Sequence, residues 1–345
     1  MFLPETVPSD FFSARAVLVT DAAGRDEVLV VAKAAWSVPV GGSPVPAPTE
    51  VETLALLFEE RAGSSIRVPS DLAPEKPGTE IILVGHARHP AAYPDARYVD
   101  VTLAVEAERA LLEKRLRVFG PRRWIEQGGT WSPSEPERYE ETPLRWEWAY
   151  GGASDGGADP RNPIGRGFGA RAAGDPCHAI EYADRDPGST TPAAFAPIAP
   201  HWAPRGHRAG SITTDDLAPH PPADRDPRHY CVAPDDQWLA SPLQGGETIF
   251  VTGVHARAAW TFTLPEIHPE MRWTIRERAE RATPHLDTVF LDADAELVTL
   301  SWRARFPAPR NLADLESIAV SPRRSSALSA LRGQPTSDHA SDVRI

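Results

Sequence analysis

The stretch Tyr98-Val99-Asp100-Val101-Thr102-Leu103-Ala104-Val105-Glu106 decides the fold. Its apolar side chains stand at odd positions and alternate with mainly polar ones, which is the two-residue period of a half-buried β-strand. Residues 112–119 repeat the alternation, with Glu113, Arg115 and Arg117 on the polar side. A charged outer face is typical of an antiparallel sheet that is covered on one side only.

Strand-like segments continue on both sides of this stretch. Residues 11–38 are predicted to form a hairpin around the turn-forming residues 21–24. The 36 prolines and 24 glycines disfavour long helices, because each proline fixes φ and removes a backbone donor. We therefore predict a mainly β fold, with antiparallel sheets in a sandwich or open, barrel-like arrangement, long Pro/Gly/Trp-rich ordered loops and little helix. Other predicted strands are 51–59, 79–87, 247–254, 259–264, 288–291 and 296–305. Residues 271–281 are compatible with helix or strand, and we predict a strand.

Domain boundaries follow from where the periodicity fades. Residues 1–310 are predicted to form a single β-rich domain, with strands before 120 and after 246 in one core. Residues 120–245 are rich in Trp, Pro and Gly and are predicted to be an irregular but ordered insert. Residues 311–320 are predicted to form one short helix, and the chain after 321 to be disordered, so that 311–345 lies outside the domain.

The charge balance limits the classes of partner. A net charge of −12 repels phosphate backbones and anionic lipids, so neither nucleic acid nor membrane is expected to be a partner. We found no stretch of about twenty apolar residues and no signal-like segment before Arg15, which predicts a cytoplasmic protein. Lysine occurs only at Lys33, Lys76 and Lys114. The excess of Arg is typical of a genome rich in G and C, or of Arg-rich interfaces.

Two segments invite cofactor or metal hypotheses. Residues 162–169 contain three glycines, but they lack both the Lys-Ser/Thr pair of a phosphate-binding loop and the glycine spacing of a dinucleotide site. Cys177-His178 and His229-Tyr230-Cys231 together could supply a Cys₂His₂ zinc set, although their spacing matches no zinc finger or ribbon. We predict neither metal nor cofactor.

Catalytic and sugar-binding patterns are the remaining alternatives. Acidic residues are frequent between 155 and 236, and a glycosidase needs two carboxyl groups facing each other. Many of them precede Pro or Gly, however, which is typical of turns. Trp124, Trp131, Trp146 and Trp148 could line a groove for sugar or peptide, or build a core of large rings. No nucleophile elbow or His-Glu-x-x-His helix is present, so we predict a non-enzyme. The alternative is a carbohydrate-binding or carbohydrate-active β protein that uses a Trp-lined groove and paired carboxylates.

Ordered sequence phrases carry a resemblance to a known family. The main ones are Val118–Trp124, Pro143–Gly152 and Arg161–Phe168, and shorter ones follow at 221–224, 233–237, 246–247, 264–265, 286–289 and 301–303. Together they resemble the domain of unknown function 2169 family over about residues 11–310. The chain departs from the pattern at three places in the 175–230 loops: Arg225 replaces an aromatic residue, Leu217 replaces a tryptophan, and only Ile180-Glu181 remains of a longer phrase.

The resemblance implies a function. Members of this family are regarded as non-catalytic adaptors or chaperones that bind a type VI secretion effector and help to load it onto the spike complex. The implied partners are therefore a secreted effector, a spike component or both. The family supplies no established catalytic residues. We expect its motif positions to be structural, with glycines in backbone conformations closed to other residues and Trp146 or Trp148 buried; they are Arg123, Trp124, Arg145, Trp146, Gly151, Gly152, Asn162, Pro163, Gly165, Gly167, Phe168 and Trp302.

Overall fold

The computed structural model of the chain describes residues 3–7, 9–61, 63–93, 95–169, 172–186, 188–211 and 220–323. Its strands up to residue 133 are β1 (Thr6–Val7), β2 (Ser13–Thr20), β3 (Asp26–Ser37), β4 (Val45–Ala47), β5 (Leu56–Leu57), β6 (Ile66–Val68), β7 (Thr79–Val84), β8 (His86–Arg88), β9 (Tyr98–Glu106), β10 (Ala110–Phe119), β11 (Trp124–Gln127) and β12 (Thr130–Pro133). The later strands are β13 (Glu141–Pro143), β14 (Tyr150–Gly151), β15 (Ala153–Ser154), β16 (Gly157–Ala158), β17 (Arg166–Gly167), β18 (Ile180–Tyr182), β19 (Trp238–Leu239), β20 (Thr248–Thr252), β21 (Trp260–Thr263), β22 (Pro269–Ile275), β23 (Arg278–Ala282), β24 (Leu286–Asp292), β25 (Leu297–Pro307) and β26 (Leu315–Pro322).

Helical structure in the described residues is limited to short pieces. One α-helical turn spans Ala203–Gly206 (α1). Single 3₁₀ turns span Trp146–Trp148, Pro227–Tyr230, Asp235–Gln237 and Leu312–Asp314. The prediction of a mainly β fold with several antiparallel sheets is confirmed. None of these helical pieces has the length and apolar character needed to cross a bilayer.

Three sheets build the body of the molecule. The largest has the strand order β19-β7-β24-β25-β3-β2, with β4 also paired to β3, and only the β7–β24 pair in it is parallel. The second, β18-β10-β9-β20-β21, is antiparallel throughout and contains the two predicted alternating strands, β9 and β10, as neighbours. The third has the order β1-β26-β22-β23.

One apolar core joins the three sheets. It includes Val28, Val30 and Ala32 of β3 together with the alternating apolar residues of β9 and several residues of β22 and β26. Strands before residue 120 and after 246 therefore share a core, as the sequence predicted. The two-residue period of β9 arises because only one face of its sheet is turned toward this core.

The opposite face of the seven-stranded sheet carries a second apolar cluster and buried charges. Trp146, Trp202 and Ile198 of the 120–245 insert pack there against Ile82 and Phe290 of the sheet. The insert is thus a cover for the sheet, which explains why its irregular sequence is rich in aromatic residues.

Buried ion pairs lie on this same sheet face. Lys33 Nζ lies 2.9 Å from a carboxylate oxygen of Asp71. The Arg303 guanidinium donates through two nitrogens to the two oxygens of Asp287, at 2.7 and 2.8 Å. Burying charges in this way costs desolvation free energy that only close pairing offsets. The network also contains Lys76, Glu80 and Thr288.

Three local predictions need correction. The short helix predicted for 311–320 is wrong: after one 3₁₀ turn the chain forms β26, which pairs with β22 and β1. Long-range pairing overrides the helix-start signal of Asn311, whose side chain accepts a hydrogen bond from the Ala313 amide. Of the strand predicted over 51–59, only Leu56–Leu57 is extended and paired. β26 continues to Pro322, past the predicted start of the disordered tail, and residues 324–345 lie outside the described residues.

The region 271–281 was predicted as one strand and is confirmed as strand, but in two pieces. β22 and β23 pair antiparallel, with Met271 opposite Ala282. The turn between them places Arg276 and Glu277 at φ of 48° and 66°, in the left-handed region that few non-glycine residues adopt. A strained two-residue turn of this kind gives little sequence signal.

Candidate functional site

The family phrases meet at a buried asparagine. The side-chain amide of Asn162 donates to the carbonyl oxygens of Trp146 and Tyr150, both at 2.9 Å, and the residue is fully buried. Its own carbonyl accepts the Gly152 amide at 2.7 Å. These bonds hold residues 146–152 against the turn that precedes β17, the strand that pairs in parallel with β14. Asn162 therefore acts as a structural clasp between two family phrases.

The glycines make this close packing possible. Gly151, Gly152 and Gly167 have φ of 141°, 104° and 96°, conformations that other residues rarely adopt. A Cβ on Gly152 would also overlap the carbonyl oxygen of Gly165. The expectation for Gly165 itself is only partly right, because its φ is not in the left-handed region. Gly165 is needed for space, since a Cβ there would collide with Asn162 and the backbone of Ala149.

The tryptophans of the motif are mainly packing residues. Trp146 is 4% exposed, meets Trp202 edge to face at 5.6 Å, and donates its indole N–H to the carbonyls of Ala196 and Pro197, both at 3.0 Å. Trp124 is 2% exposed. Trp302 is fully buried in the main core, outside this region. The rings of Trp124 and Trp146 are thus unavailable to stack on a sugar, which needs an accessible ring face.

The remaining motif positions tie the insert to its surroundings. Arg145 donates to Glu59 Oε1 at 3.0 Å. Arg123 is exposed and donates to the Gly174 carbonyl at 2.9 Å. Phe168 continues the parallel pair, since its amide donates to the Gly151 carbonyl at 3.0 Å. Pro163 follows Asn162 in the turn and is half-buried.

A buried polar cluster lies beside the motif. His178 is fully buried, with its Nδ1 3.6 Å from Cys177 Sγ and its Nε2 3.0 Å from Glu181 Oε1. Arg122 donates to the same carboxylate and to the His178 carbonyl. Burial acts to raise the pKa of Glu181, but the His178 hydrogen bond and the charge of Arg122 outweigh it and leave the pKa lowered. The order thiol, imidazole, carboxylate resembles a nucleophile with its base, although Cys177 is only 2% exposed.

The second Cys-His pair lies in a different environment. His229 Nδ1 donates to the Arg205 carbonyl, 3.0 Å away, and Cys231 is buried beside Glu80. Burial raises the pKa of the Cys231 thiol to about 12, with the charge of Glu80 adding to the effect. Within the part of the chain that the structure describes, no group of three or more His, Cys, Asp or Glu side chains is placed to hold a metal ion.

Four carboxylates of the insert are paired with cations. Each of these four carboxylates has a guanidinium or ammonium neighbour within 3.0 Å, so none of them is free to act with a second acid. The pairs are Asp159 with Arg161, Glu181 with Arg122, Asp235 with Arg208 and Arg228, and Asp236 with Lys114.

Two neighbouring cavities, which share the lining residues Arg166 and Pro176, border the motif. The larger is an open cleft of about 820 Å³, lined by Trp124, Ser154, Arg166 and Phe168 among others. A smaller cavity of about 180 Å³ shares Arg166 with it and reaches Arg122 and Trp148. The Arg166 guanidinium lies 4.0 Å above the Trp148 ring. The sequence predicted structural roles for the neighbours of Arg166 but did not predict the cavities. The cavities form between segments about 45 residues apart, so no local pattern indicates them.

Comparison with known proteins gives one match. The family model described as "Uncharacterized protein conserved in bacteria (DUF2169)" matches residues 23–303. The chain belongs to the DUF2169 family. No curated protein and no solved structure matches the chain.

Two of the three departures from the family pattern lie in residues that the structure describes. Arg225 keeps an aromatic contact, because its guanidinium lies over the Tyr230 ring and donates to the Tyr230 hydroxyl at 2.9 Å. Ile180 and Glu181 begin β18, which pairs with β10. Leu217 lies outside the described residues. In this member of the DUF2169 family, the family phrases therefore build the clasp around Asn162 and one wall of the cavities.

Proposed function

We propose that this DUF2169 protein is a non-catalytic cytoplasmic adaptor or chaperone that binds a type VI secretion effector, or the spike component that carries it, and helps to load it. The sequence resemblance motivates the choice of system. The structural support comes from one surface feature that the family motif holds in place.

That feature is a hairpin carrying exposed leucines, here called the leucine hairpin and comprising residues 54–61 and 63–68. Leu54 is 75% exposed, and Leu56 and Leu57 are also exposed. Three large apolar side chains within four residues expose apolar surface that a protein partner can cover. Leucine contacts of this kind contribute to binding by desolvation.

The motif anchors the leucine hairpin. Glu147, between Trp146 and Trp148, accepts hydrogen bonds from the Ser65 amide at 2.9 Å and the Ser65 hydroxyl at 2.6 Å. Arg145 pairs with Glu59 on the same hairpin. The motif would then present an apolar binding element on a rigid support, which lowers the ordering cost of binding. This supports an adaptor more than a sugar-binding protein.

The test compares two exposed-residue variants. Tagged wild-type protein and its Leu54→Asp and Tyr93→Asp variants are expressed in the native host, and the captured proteins are identified by mass spectrometry. Tyr93 is 69% exposed and lies on another loop, so it is the matched control. We expect wild type and Tyr93→Asp to capture a type VI effector or spike component, and Leu54→Asp to lose it. Capture of no such component by wild-type protein would refute the proposal.

A further inference from the structure

Arg166 is an arginine without a counter-ion. Its backbone amide is used in the parallel pair, donating to the Ala149 carbonyl at 3.0 Å, while its guanidinium lies over the Trp148 ring, 4.0 Å from the centroid. Among the described residues no carboxylate lies within ion-pair distance of its guanidinium, which also makes no side-chain hydrogen bond. Its neighbours differ, since Arg145 pairs with Glu59 and Arg161 with Asp159. Five donors are thus left for a ligand.

A second guanidinium lines the same cavity. Arg122 is 4% exposed, and its Nε is buried with no hydrogen-bond partner. Arg122, Arg123 and Arg166 all line the cavity of about 180 Å³, and its described lining includes neither Asp nor Glu. A buried, unmatched guanidinium donor costs free energy that an anion would recover. Arg122 is paired with Glu181, whereas neither Arg123 nor Arg166 has a carboxylate partner among the described residues.

The burial of Arg166 and the charges near it also favour an anionic ligand. Burial lowers the pKa of Arg166, and the charge of Arg145 lowers it further, while Glu147 acts in the opposite direction. Glu147 is held by Ser65 and does not reach Arg166. A bound anion would oppose both lowering effects, so the site favours negative ligands.

We propose that this cavity, here called the arginine pocket, binds a carboxylate that an extended segment of a partner protein inserts through the adjoining cleft. A guanidinium held over an aromatic ring presents a planar fork, which matches a planar carboxylate through two parallel hydrogen bonds. The volume suits a small group, because one water molecule takes about 30 Å³ of liquid. The partner is the one invoked by the proposed function, which this site would make more specific.

The test titrates the full-length chain with defined anions and follows the arginine Nε–H signals by NMR. The probes are N-acetylalanine, which carries a chain-terminal carboxylate, and the α-amide of N-acetylglutamate, which carries a side-chain carboxylate; inorganic phosphate and sodium chloride are compared at equal ionic strength. We expect saturable shifts at Arg166 and Arg122 with at least one carboxylate. The tighter of the two carboxylates identifies its source in the partner.

Two variants make the result specific. Arg166→Gln should weaken carboxylate binding by about tenfold or more, as expected for losing a hydrogen bond from a charged group. Arg185→Gln is the matched control, because Arg185 also lies on a ring, that of Tyr182 at 4.7 Å, but outside the pocket; it should bind like wild type. A melting curve establishes that each variant is folded, and Arg166→Lys, which keeps the charge but loses the fork, should bind more weakly than wild type.

Several outcomes would overturn the arginine pocket: no saturable shift, the same shifts with sodium chloride, tighter binding of phosphate than of either carboxylate, or equal binding by Arg166→Gln. This titration needs no partner protein. If wild-type protein captures no type VI component from its host, the adaptor proposal fails while the titration still decides whether the pocket binds a carboxylate.

Discussion

At the residue scale, the placement of lysine is the clearest finding. The chain has 36 Lys and Arg residues, and its three lysines, Lys33, Lys76 and Lys114, are all at least nine-tenths buried. Each has an acidic partner: Asp71, Glu80 and Asp236 respectively. A G+C-rich genome explains the excess of arginine but not where the lysines lie. A compact ammonium suits a small buried site that a planar guanidinium does not fit.

Lys114 gives the first prediction. Its ammonium donates to the Ala194 carbonyl at 2.7 Å, and to carboxylate and amide oxygens of Asp236 and Gln237, both at 2.8 Å. Lys114→Arg should lower the free energy of unfolding by about 1–3 kcal/mol through overpacking. Lys114→Met should lower it by a similar amount, because buried acceptors lose their donor. Urea unfolding at constant m-value measures both changes. The surface variant Arg185→Lys should change the free energy of unfolding by close to zero.

His86 gives a pH prediction. Its hydrogen bond to Asp294, 2.6 Å long, raises the pKa of His86, with burial opposing. Burial acts to raise the pKa of Asp294, but the bonds from His86 and Arg88 outweigh it and lower the pKa to about 2. The contribution of His86 is therefore present below its unfolded pKa of about 6.5 and is lost as pH rises through its raised folded pKa. The contribution of Asp294 is lost only as pH falls from about 4 toward 2.

The measurement compares His86→Gln with wild type in urea at pH 5.5 and pH 8. The destabilisation by the substitution should be larger at pH 5.5. Taking the difference between the two proteins removes the common effect of His89, His229 and His255, whose pKa values are lowered mainly by burial. A pH-independent difference would mean that the pair contributes no charge interaction.

At the element scale, the short parallel pair of β14 and β17 depends on glycine. Gly152→Val should lower the free energy of unfolding by about 1–3 kcal/mol from backbone strain alone, and the overlap of its Cβ with the Gly165 carbonyl adds to that. Gly129→Val is the matched control, with φ of 80° but no heavy atom within 4 Å of a Cβ. The control should have backbone strain without steric overlap, so its melting temperature should be higher than that of Gly152→Val.

A Gly152→Val protein that melts like wild type and only loses its partner would contradict this account. The segment would then be a contact surface, and its glycines would serve the approach of another chain.

The sequence predicted elements well where a strand has one buried face. β9 and β10 show the two-residue period because one side of their sheet is covered by the core and the other is not. β26 was predicted as a helix from the local sequence, whereas the pairing with β22 that decides the outcome involves residues about 45 positions earlier. Local propensity is a weak guide against such long-range pairing.

The site was less predictable than the fold. The phrases around Trp146 and Asn162 marked the structural clasp, but no spacing in the sequence indicates that Arg166 lacks a counter-ion or that Arg122 lies beside it. Both properties depend on where the rest of the chain places its carboxylates. The same holds for Lys114, whose three acceptors come from residues 194, 236 and 237.

At the scale of the whole molecule, the described surface presents no lysine. An amine-reactive ester should therefore label the folded chain at its amino terminus and leave the three lysines unmodified, whereas the chain in urea should accept label on all three. Mass spectrometry of the intact protein and its peptides measures both states. Rapid labelling of Lys33, Lys76 or Lys114 under native conditions would show that its ion pair opens readily.

The net charge of −12 predicts how a partner associates. With a basic partner surface, the association rate should fall as salt rises, because the Debye length shrinks to about 3 Å at 1 M. The dissociation rate should change less, since buried apolar contacts such as those of the leucine hairpin act mainly on dissociation. Surface plasmon resonance at several salt concentrations separates the two rates. An association rate independent of salt would mean that the partner's contact surface is not basic.

The central claim is that the protein loads a type VI effector without being part of the secretion machine. Its most direct test is effector delivery from a strain that lacks the gene, complemented with wild type, Leu54→Asp or Tyr93→Asp. The account predicts that the deletion abolishes delivery of one cognate effector while the tube protein is still secreted, and that wild type and Tyr93→Asp, but not Leu54→Asp, restore it. Unchanged delivery in the deletion strain, or loss of all secretion including the tube protein, would contradict it.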